Sequence, residues 1–171
     1  QANRSELNYV ILSPDGGSRL PRVAASGGLA PVSTASNGST SWVASANELS
    51  AEGLFITSAG SGAPLPLTSV PGSSRDVATI AEPGGFLTIW SDSRAALRQV
   101  FGRRSFLDGG LGPELQLTSG GTTKGLLAAA RNAAGVTLIV WGGDGTGFVE
   151  GVRFRNDVPL DATPVRFGGS T

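Results

Sequence analysis

The sequence of 171 residues contains no cysteine, no histidine and no methionine. Disulfide frameworks, zinc fingers, haem ligation, cysteine nucleophiles and histidine-based triads are therefore excluded, because the atoms that they require are missing. Any catalysis would depend on carboxylates, hydroxyls and the single lysine, Lys124. Since no catalytic motif is present, we predict a protein that is not an enzyme and that holds neither a metal nor a cofactor.

Neither charge nor hydropathy points to nucleic acid or to a membrane. The 13 basic residues balance the 13 acidic residues, so the basic excess typical of proteins that bind nucleic acid or anionic lipid is missing. No apolar run reaches the roughly 18 residues that cross a bilayer, so we expect no membrane insertion. The first residues lack a signal-peptide profile, and we expect any leader to have been removed. The Ser-, Thr- and Gly-rich, lysine-poor composition favours a bacterial protein that is extracellular or on the cell surface.

Turn-forming residues are abundant, with 26 glycines and 10 prolines. Val, Ile, Leu and Phe still make up about a quarter of the chain, above the level of about 20% below which disorder is expected. Many short strands joined by frequent turns fit this composition. We therefore predict an all-β protein.

The three tryptophans mark an internal repeat. Trp42, Trp90 and Trp141 lie 48 and 51 residues apart, and each is predicted to end a strand. A small apolar strand and a turn precede each tryptophan run, and a third strand, a Gly-rich turn and a fourth strand follow it. The adjacent Arg103 and Arg104 of one third strand are expected to point to opposite faces.

These runs divide the chain into units of about four strands each. Three whole repeats are predicted at 29–75, 76–124 and 125–171. Residues 1–28 match only the third strand, turn and fourth strand, and therefore form a half repeat. The predicted fold is three and a half four-stranded antiparallel repeats, either as β-propeller blades or as the units of a β-trefoil or β-prism.

The second repeat resembles a known family of repeats. Its Gly-Gly-aromatic turn, the run Trp90-Ser91-Asp92-Ser93-Arg94 and the later Val-Phe-Gly-Arg-Arg strand with an Asp-Gly turn resemble a repeat of large secreted proteins of myxobacteria and related bacteria. This resemblance implies propeller blades. The third repeat departs from the pattern, because Trp141 is followed by Gly142-Gly143-Asp144 and no arginine. In the first repeat, neither the aspartate nor the arginine of the pattern follows Trp42.

Each residue of the pattern has a structural and a functional interpretation. A tryptophan at the end of an inner strand is expected to pack between sheets, or else to stack on a carbohydrate. Asp92 and Arg94 are expected to form a salt bridge that closes a turn, or else to contact a polar ligand. The Gly-rich segment around Asp144 is expected to be a turn, since it has no phosphate-binding lysine and only one carboxylate. The candidate ligand or partner contacts are Trp42, Trp90, Asp92, Arg94, Trp141 and Asp144.

Three and a half blades do not close a ring, and an open propeller would expose strand edges and an apolar face. We therefore expect self-association or a protein partner that completes the ring. The function predicted is a non-enzymatic extracellular binding or assembly module that contacts a partner protein or a glycan. One alternative is a propeller glycosidase that uses only carboxylates, although the acidic residues are scattered along the sequence and argue against it. The other alternative is a purely structural subunit of a surface assembly.

Overall fold

The chain forms β-strands and no helix in the part that the structure describes, which confirms the all-β prediction. No membrane-crossing helix is therefore found there. The structure is a computed structural model, and it describes residues 5–9, 22–27, 31–46, 51–57, 60–70, 74–94, 96–143 and 147–168.

The strands form one antiparallel pair and three larger antiparallel sheets. Strands β1 (Ser5–Tyr9) and β2 (Arg22–Gly27) pair with each other, within the segment predicted as a half repeat. Sheet 1 contains β3 (Val32–Ser36), β4 (Ser41–Ala46), β5 (Ala51–Thr57), β6 (Gly60–Ser61) and β7 (Leu65–Pro66), in the order β3-β4-β5-β6, with β7 also paired to β5.

The other two sheets repeat this meander. Sheet 2 contains β8 (Ser74–Glu82), β9 (Gly85–Asp92), β10 (Gln99–Phe106) and β11 (Leu111–Gln116), paired in chain order. Sheet 3 contains β12 (Lys124–Arg131), β13 (Thr137–Gly143), β14 (Val149–Arg155), β15 (Val158–Pro159) and β16 (Val165–Phe167). Strands β15 and β16 both pair with β14. The fourth strand is thus split in two in sheets 1 and 3, a feature that the sequence analysis did not predict.

The three sheets are stacked in chain order, with sheet 2 in the middle. Strand β8 lies against β3 and β4 of sheet 1 and also against β12 of sheet 3. The first strands of successive sheets are therefore neighbours. None of the sheets closes into a barrel over the described ranges.

Two apolar layers fill the spaces between the sheets, and strand β9 contributes to both. All eight residues of β9 are buried, because successive side chains point to opposite faces and each face is covered by another sheet. This double burial explains why Phe86 and Leu87, and then Ile89 and Trp90, are adjacent apolar residues that do not alternate with polar ones. The largest members of the first layer are Trp42, Leu67, Phe86, Trp90 and Phe101. Those of the second layer are Leu87, Ile89, Ile139, Trp141 and Phe154.

The adjacent arginines of β10 point to opposite faces, as predicted, and each one bridges to a neighbouring sheet. Arg103 donates from Nη1 to the carbonyl oxygen of Leu67, 3.3 Å away, on the sheet 1 side. Arg104 pairs with Glu82, with Nε 2.5 Å from Oε2, and with Asp157 in the turn that follows β14. Sheet 2 is thus held to both neighbours by charged side chains as well as by apolar contacts.

Trp42 occupies a different strand position from the other two tryptophans. Trp90 is the sixth residue of β9 and Trp141 the fifth of β13, and both rings point back toward the preceding sheet. Trp42 is the second residue of β4 and points forward onto sheet 2, where it stacks on Phe86 and donates its indole N–H to Thr88 Oγ1 at 2.8 Å. The prediction that all three tryptophans end equivalent strands is therefore wrong for Trp42.

Gly53 of β5 makes room for the ring of Trp42. A Cβ atom on Gly53 would lie 2.0 Å from Cζ2 of Trp42, a separation at which the ring must move. We expect Gly53→Ala to lower the free energy of unfolding by about 1–3 kcal/mol, because overpacking forces buried side chains out of their preferred rotamers. Urea unfolding followed by tryptophan fluorescence measures this change.

Gly112→Ala is the matched control for that substitution. A Cβ atom on Gly112 would meet its nearest neighbour at 3.5 Å, an ordinary contact distance. We expect its free energy of unfolding to stay within about 0.5 kcal/mol of the original chain. Equal losses in the two variants would contradict the packing role assigned to Gly53.

Candidate functional site

The three tryptophans predicted as candidate contacts are all fully buried between sheets, with 0% of each side chain exposed. Their rings pack in the apolar layers described above, and Trp141 also lies at the wall of a cleft in sheet 3. The structure therefore favours the packing interpretation for Trp42, Trp90 and Trp141. A role in contacting a ligand stays a prediction.

Asp92 and Arg94 form a buried ion-pair cluster with Glu114 at the end of β9. Arg94 donates from Nη2 to Asp92 Oδ2 at 2.6 Å and from its backbone N–H to Oδ1 at 2.7 Å. Its Nη1 pairs with Glu114 of β11. The other oxygen of Glu114 accepts the backbone N–H of Ser69 at 2.8 Å. The cluster thus closes its own turn and also holds the segment that follows β7.

Arg94 also covers the aromatic part of the first apolar layer. Its guanidinium carbon lies 4.1 Å from the ring centroid of Phe101, and Phe101 stacks on Trp90 with centroids 6.4 Å apart. A cation over an aromatic face gains about 0.5–2 kcal/mol. The Trp-x-Asp-x-Arg pattern of sheet 2 therefore forms one continuous column of packed side chains, which favours a structural role.

The ion pairs of this cluster control the pKa values of its members. Burial alone raises the pKa of Asp92, but the hydrogen bonds and the positive charge of Arg94 outweigh it and hold the pKa below its ordinary value. Burial lowers the pKa of Arg94, and its bonds to Asp92 and Glu114 more than compensate, so this pKa lies above its ordinary value. Both groups are therefore charged at neutral pH.

A cleft of about 880 Å³ lies between sheets 2 and 3. Glu150 borders it and pairs in register with Trp141, just as Phe101 pairs with Trp90 in sheet 2. Sheet 3 thus has a carboxylate where sheet 2 has an aromatic ring, and no arginine follows Trp141 within β13. The cleft lies where the corresponding space between sheets 1 and 2 is filled by Phe101 and Arg94.

Glu150 is the centre of the polar groups in this cleft. Its Oε2 accepts the indole N–H of Trp141 at 3.3 Å, and its Oε1 accepts Nη2 and Nε of Arg166 at 3.1 and 3.2 Å. Arg166 lies across Phe148, with its guanidinium carbon 4.5 Å from the ring centroid, and 60% of its side chain is exposed. An arginine at the mouth and a carboxylate behind it offer a ligand both donors and an acceptor.

Lys124, the only lysine of the chain, lies at the start of β12 and borders the same cleft. It is 4% exposed, and its Nζ donates to the carbonyl oxygens of Gly120, at 2.8 Å, and Thr122. Burial lowers the pKa of Lys124, and the negative charge of Glu150 offsets this only in part. Lys124 therefore fixes the loop that leads into sheet 3.

Three charged residues that were not predicted from the sequence meet at this cleft. Lys124, Glu150 and Arg166 come from the first, third and split fourth strands of sheet 3, and no local motif joins them. The one available signal was the departure of the third repeat from the Trp-x-Asp-x-Arg pattern. Asp144, the candidate contact in that departure, lies outside the described residues. Where the structure describes the chain, no cluster of three metal-ligating side chains is found.

Comparison with protein-family models, with curated proteins and with solved structures found no match to this chain. The interpretation of the site therefore depends on its own geometry.

Loss of Arg94 should be costly, because it leaves the fully buried carboxylate of Asp92 without its cation. We expect Arg94→Gln to lower the free energy of unfolding by about 3–5 kcal/mol. Arg153→Gln is the matched control, since Arg153 pairs with Asp161 but is 56% exposed, and ion pairs of exposed arginines contribute little to stability. Urea unfolding of both variants measures the difference, and similar small losses would show that the cluster is not structural.

Asp92 should also make the stability depend on pH on the acid side. Its folded pKa is below the ordinary value, so its contribution is complete above about pH 4 and is lost as the pH falls through the folded-state pKa. We expect Asp92→Asn to be much less stable than the original chain at pH 6 and to approach it toward pH 2. Urea midpoints measured across this range test the sign, and a gap that widens in acid would contradict it.

Proposed function

We propose that this chain is a non-enzymatic extracellular binding or assembly module whose three sheets are blades of a β-propeller. Support for the blade interpretation comes from the stacking order, in which β8 lies between β3 and β12. The Trp-x-Asp-x-Arg pattern of the second repeat, with its resemblance to repeats of large secreted bacterial proteins, supports the same interpretation. The Ser-, Thr- and Gly-rich, lysine-poor composition supports an extracellular location.

The observation that carries the binding function is the cleft between sheets 2 and 3. Its volume of about 880 Å³ lies in the range of 300–1,000 Å³ typical of ligand sites, which combine an apolar lining with a few convergent polar groups. Here the apolar lining includes Val152, Phe154 and Leu160, and the polar groups are Glu150 and Arg166. This combination suits a glycan, whose hydroxyls donate to a carboxylate and accept from a guanidinium.

The same contacts support a binding role over a glycosidase. A general acid needs a carboxyl group that holds its proton near neutral pH. The acidic residues of the described clusters are instead paired with arginine, as Glu150 is with Arg166 and Glu82 is with Arg104 and Arg131. We therefore propose binding without turnover.

A glycan array tests the proposal with two cleft variants. We expect Glu150→Gln and Arg166→Ala each to weaken the signal of a bound glycan about tenfold, which corresponds to the loss of one charge-assisted hydrogen bond of about 1.4 kcal/mol. Arg155→Ala is the matched control, since this exposed arginine lies on β14 and does not line the cleft. Unchanged signals in the cleft variants, or no binding at all, would contradict the glycan site, and hydrolysis of common glycosides would contradict the non-enzymatic assignment.

A further inference from the structure

The face of sheet 3 that points away from sheet 2 is apolar and open, and it is called the outer face below. Leu126 is 81% exposed, and Val149, Val165 and Phe167 are 43–44% exposed. A contiguous apolar surface of this kind usually marks an interaction site. The apolar residues of the outer face are Leu126, Ala128, Ala130, Leu138, Val140, Val149, Val165 and Phe167, and Arg153, which pairs with Leu138, lies at one end of it.

The outer face repeats, position by position, the face of sheet 2 that sheet 3 covers. In sheet 2, Ile89 pairs with Ala78 and Gly102. In sheet 3, the corresponding Val140 pairs with Ala128 and Gly151. Two residues earlier in the second strand, and on the same face, Leu87 of sheet 2 pairs with Ile80 and Arg104. Leu138 of sheet 3 likewise pairs with Ala130 and Arg153.

The glycines of the third strands extend this correspondence to the fourth strands. A Cβ atom on Gly102 would lie 3.0 Å from Leu117 and 3.1 Å from Ile89. A Cβ atom on Gly151 would lie 3.1 Å from Phe167 and 2.9 Å from Val140. Phe167 therefore takes the place of Leu117, and each glycine lets two large side chains close over the strand.

The irregular positions of the first strands correspond as well. Asp76 and Leu126 both have positive φ, at 44° and 52°, and each lies at a break in the register with the second strand. Asp tolerates this conformation better than Leu does. The two faces thus share their backbone shape as well as their apolar positions.

The two faces differ in what covers them. In sheet 2, Ile89 is 0% exposed and Leu87 5% exposed, because Ile139, Trp141 and Phe154 of sheet 3 pack on them. In sheet 3, the same positions have no covering sheet in the described part of the chain. A surface with the backbone shape and apolar pattern of a sheet-to-sheet interface fits the same kind of partner.

A second copy of this chain does not offer that partner. The tryptophan-bearing faces of sheets 2 and 3 are already covered within the chain. The remaining face of sheet 1 carries no tryptophan, because Trp42 points onto sheet 2, and Val43 on that face is already buried. The described residues of a second copy thus lack a matching face.

We infer that the outer face is a docking surface for a further four-stranded sheet of the same repeat, which binds through its tryptophan-bearing face. This rests on the proposed function, because it treats the sheets as blades of one repeat. Such a sheet carries apolar side chains at the positions of Ile139, Trp141 and Phe154. Arg104 pairs with Asp157 across the existing interface, so an acidic residue in the corresponding turn of the partner would face the arginine end of the outer face.

An extended chain tests the inference directly. Because Phe167 corresponds to Leu117, a second copy of residues 118–168 is joined directly after Phe167. The added sheet then follows sheet 3 along the chain just as sheet 3 follows sheet 2. We expect one cooperative unfolding transition with a midpoint roughly 5–10 °C higher than that of the original chain. We also expect backbone amides of the original β13 to exchange more slowly.

Val140→Asp, made in the original sheet 3, is the discriminating variant. In the unextended chain Val140 is half-buried on the open face, and we expect the substitution to change the unfolding midpoint little. In the extended chain it should remove the gains in midpoint and amide protection, because it places a charge in the new interface. An extended chain with no gain over the original would overturn the inference.

Two further outcomes are decisive. If the natural chain sediments as a dimer and Val140→Asp makes it monomeric, a second copy covers the outer face and the inference is wrong. If the extended chain gains stability and protection while the cleft variants Glu150→Gln and Arg166→Ala leave glycan binding unchanged, the docking surface stands and the glycan proposal fails. The two proposals are therefore tested on different faces of sheet 3.

Discussion

The burial of both faces of sheet 2 is the constraint on which the rest of the structure depends. An antiparallel sheet can be stable with one face in water, but β9 has large apolar side chains on both faces and is buried along its whole length. Sheets 1 and 3 must therefore lie on opposite sides of it. The two apolar layers, the bridging arginines of β10 and the cleft all follow from this three-sheet stack.

Different side chains occupy equivalent positions in the two interfaces between sheets. Between sheets 1 and 2, the column of Trp90, Phe101 and Arg94 fills the space and the buried ion pairs close it. Between sheets 2 and 3, a carboxylate replaces the ring at the position of Phe101, and a cleft remains. A few side chains thus decide whether a repeat fills the space beside it or leaves a cleft, with the same strand order in both copies.

Much of the architecture was predictable from the sequence, because it depends on local patterns. The runs around Trp90 and Trp141, the turns that precede them and the opposite directions of Arg103 and Arg104 follow from residue alternation within single strands. The direction of Trp42 was not predictable in this way, because it depends on where β4 begins in register with β3. The register is fixed by packing against sheet 2, and one residue of slip reverses every side chain. The charged residues of the cleft escaped prediction for a related reason: Lys124, Glu150 and Arg166 meet only after sheet 3 has formed.

Arginine supplies the positive charge in every ion pair described above, so only the carboxylate partner can change its charge with pH. A guanidinium keeps its proton at any pH that a protein survives, and Arg94 holds the pKa of Asp92 below its ordinary value. The one amine side chain, Lys124, is bound to backbone carbonyls rather than to an acid. Acid can therefore neutralise the Asp92–Arg94 pair, whereas alkali cannot. The contribution of this pair to stability thus persists in an alkaline medium and is lost only in acid, while the apolar layers between the sheets respond to neither.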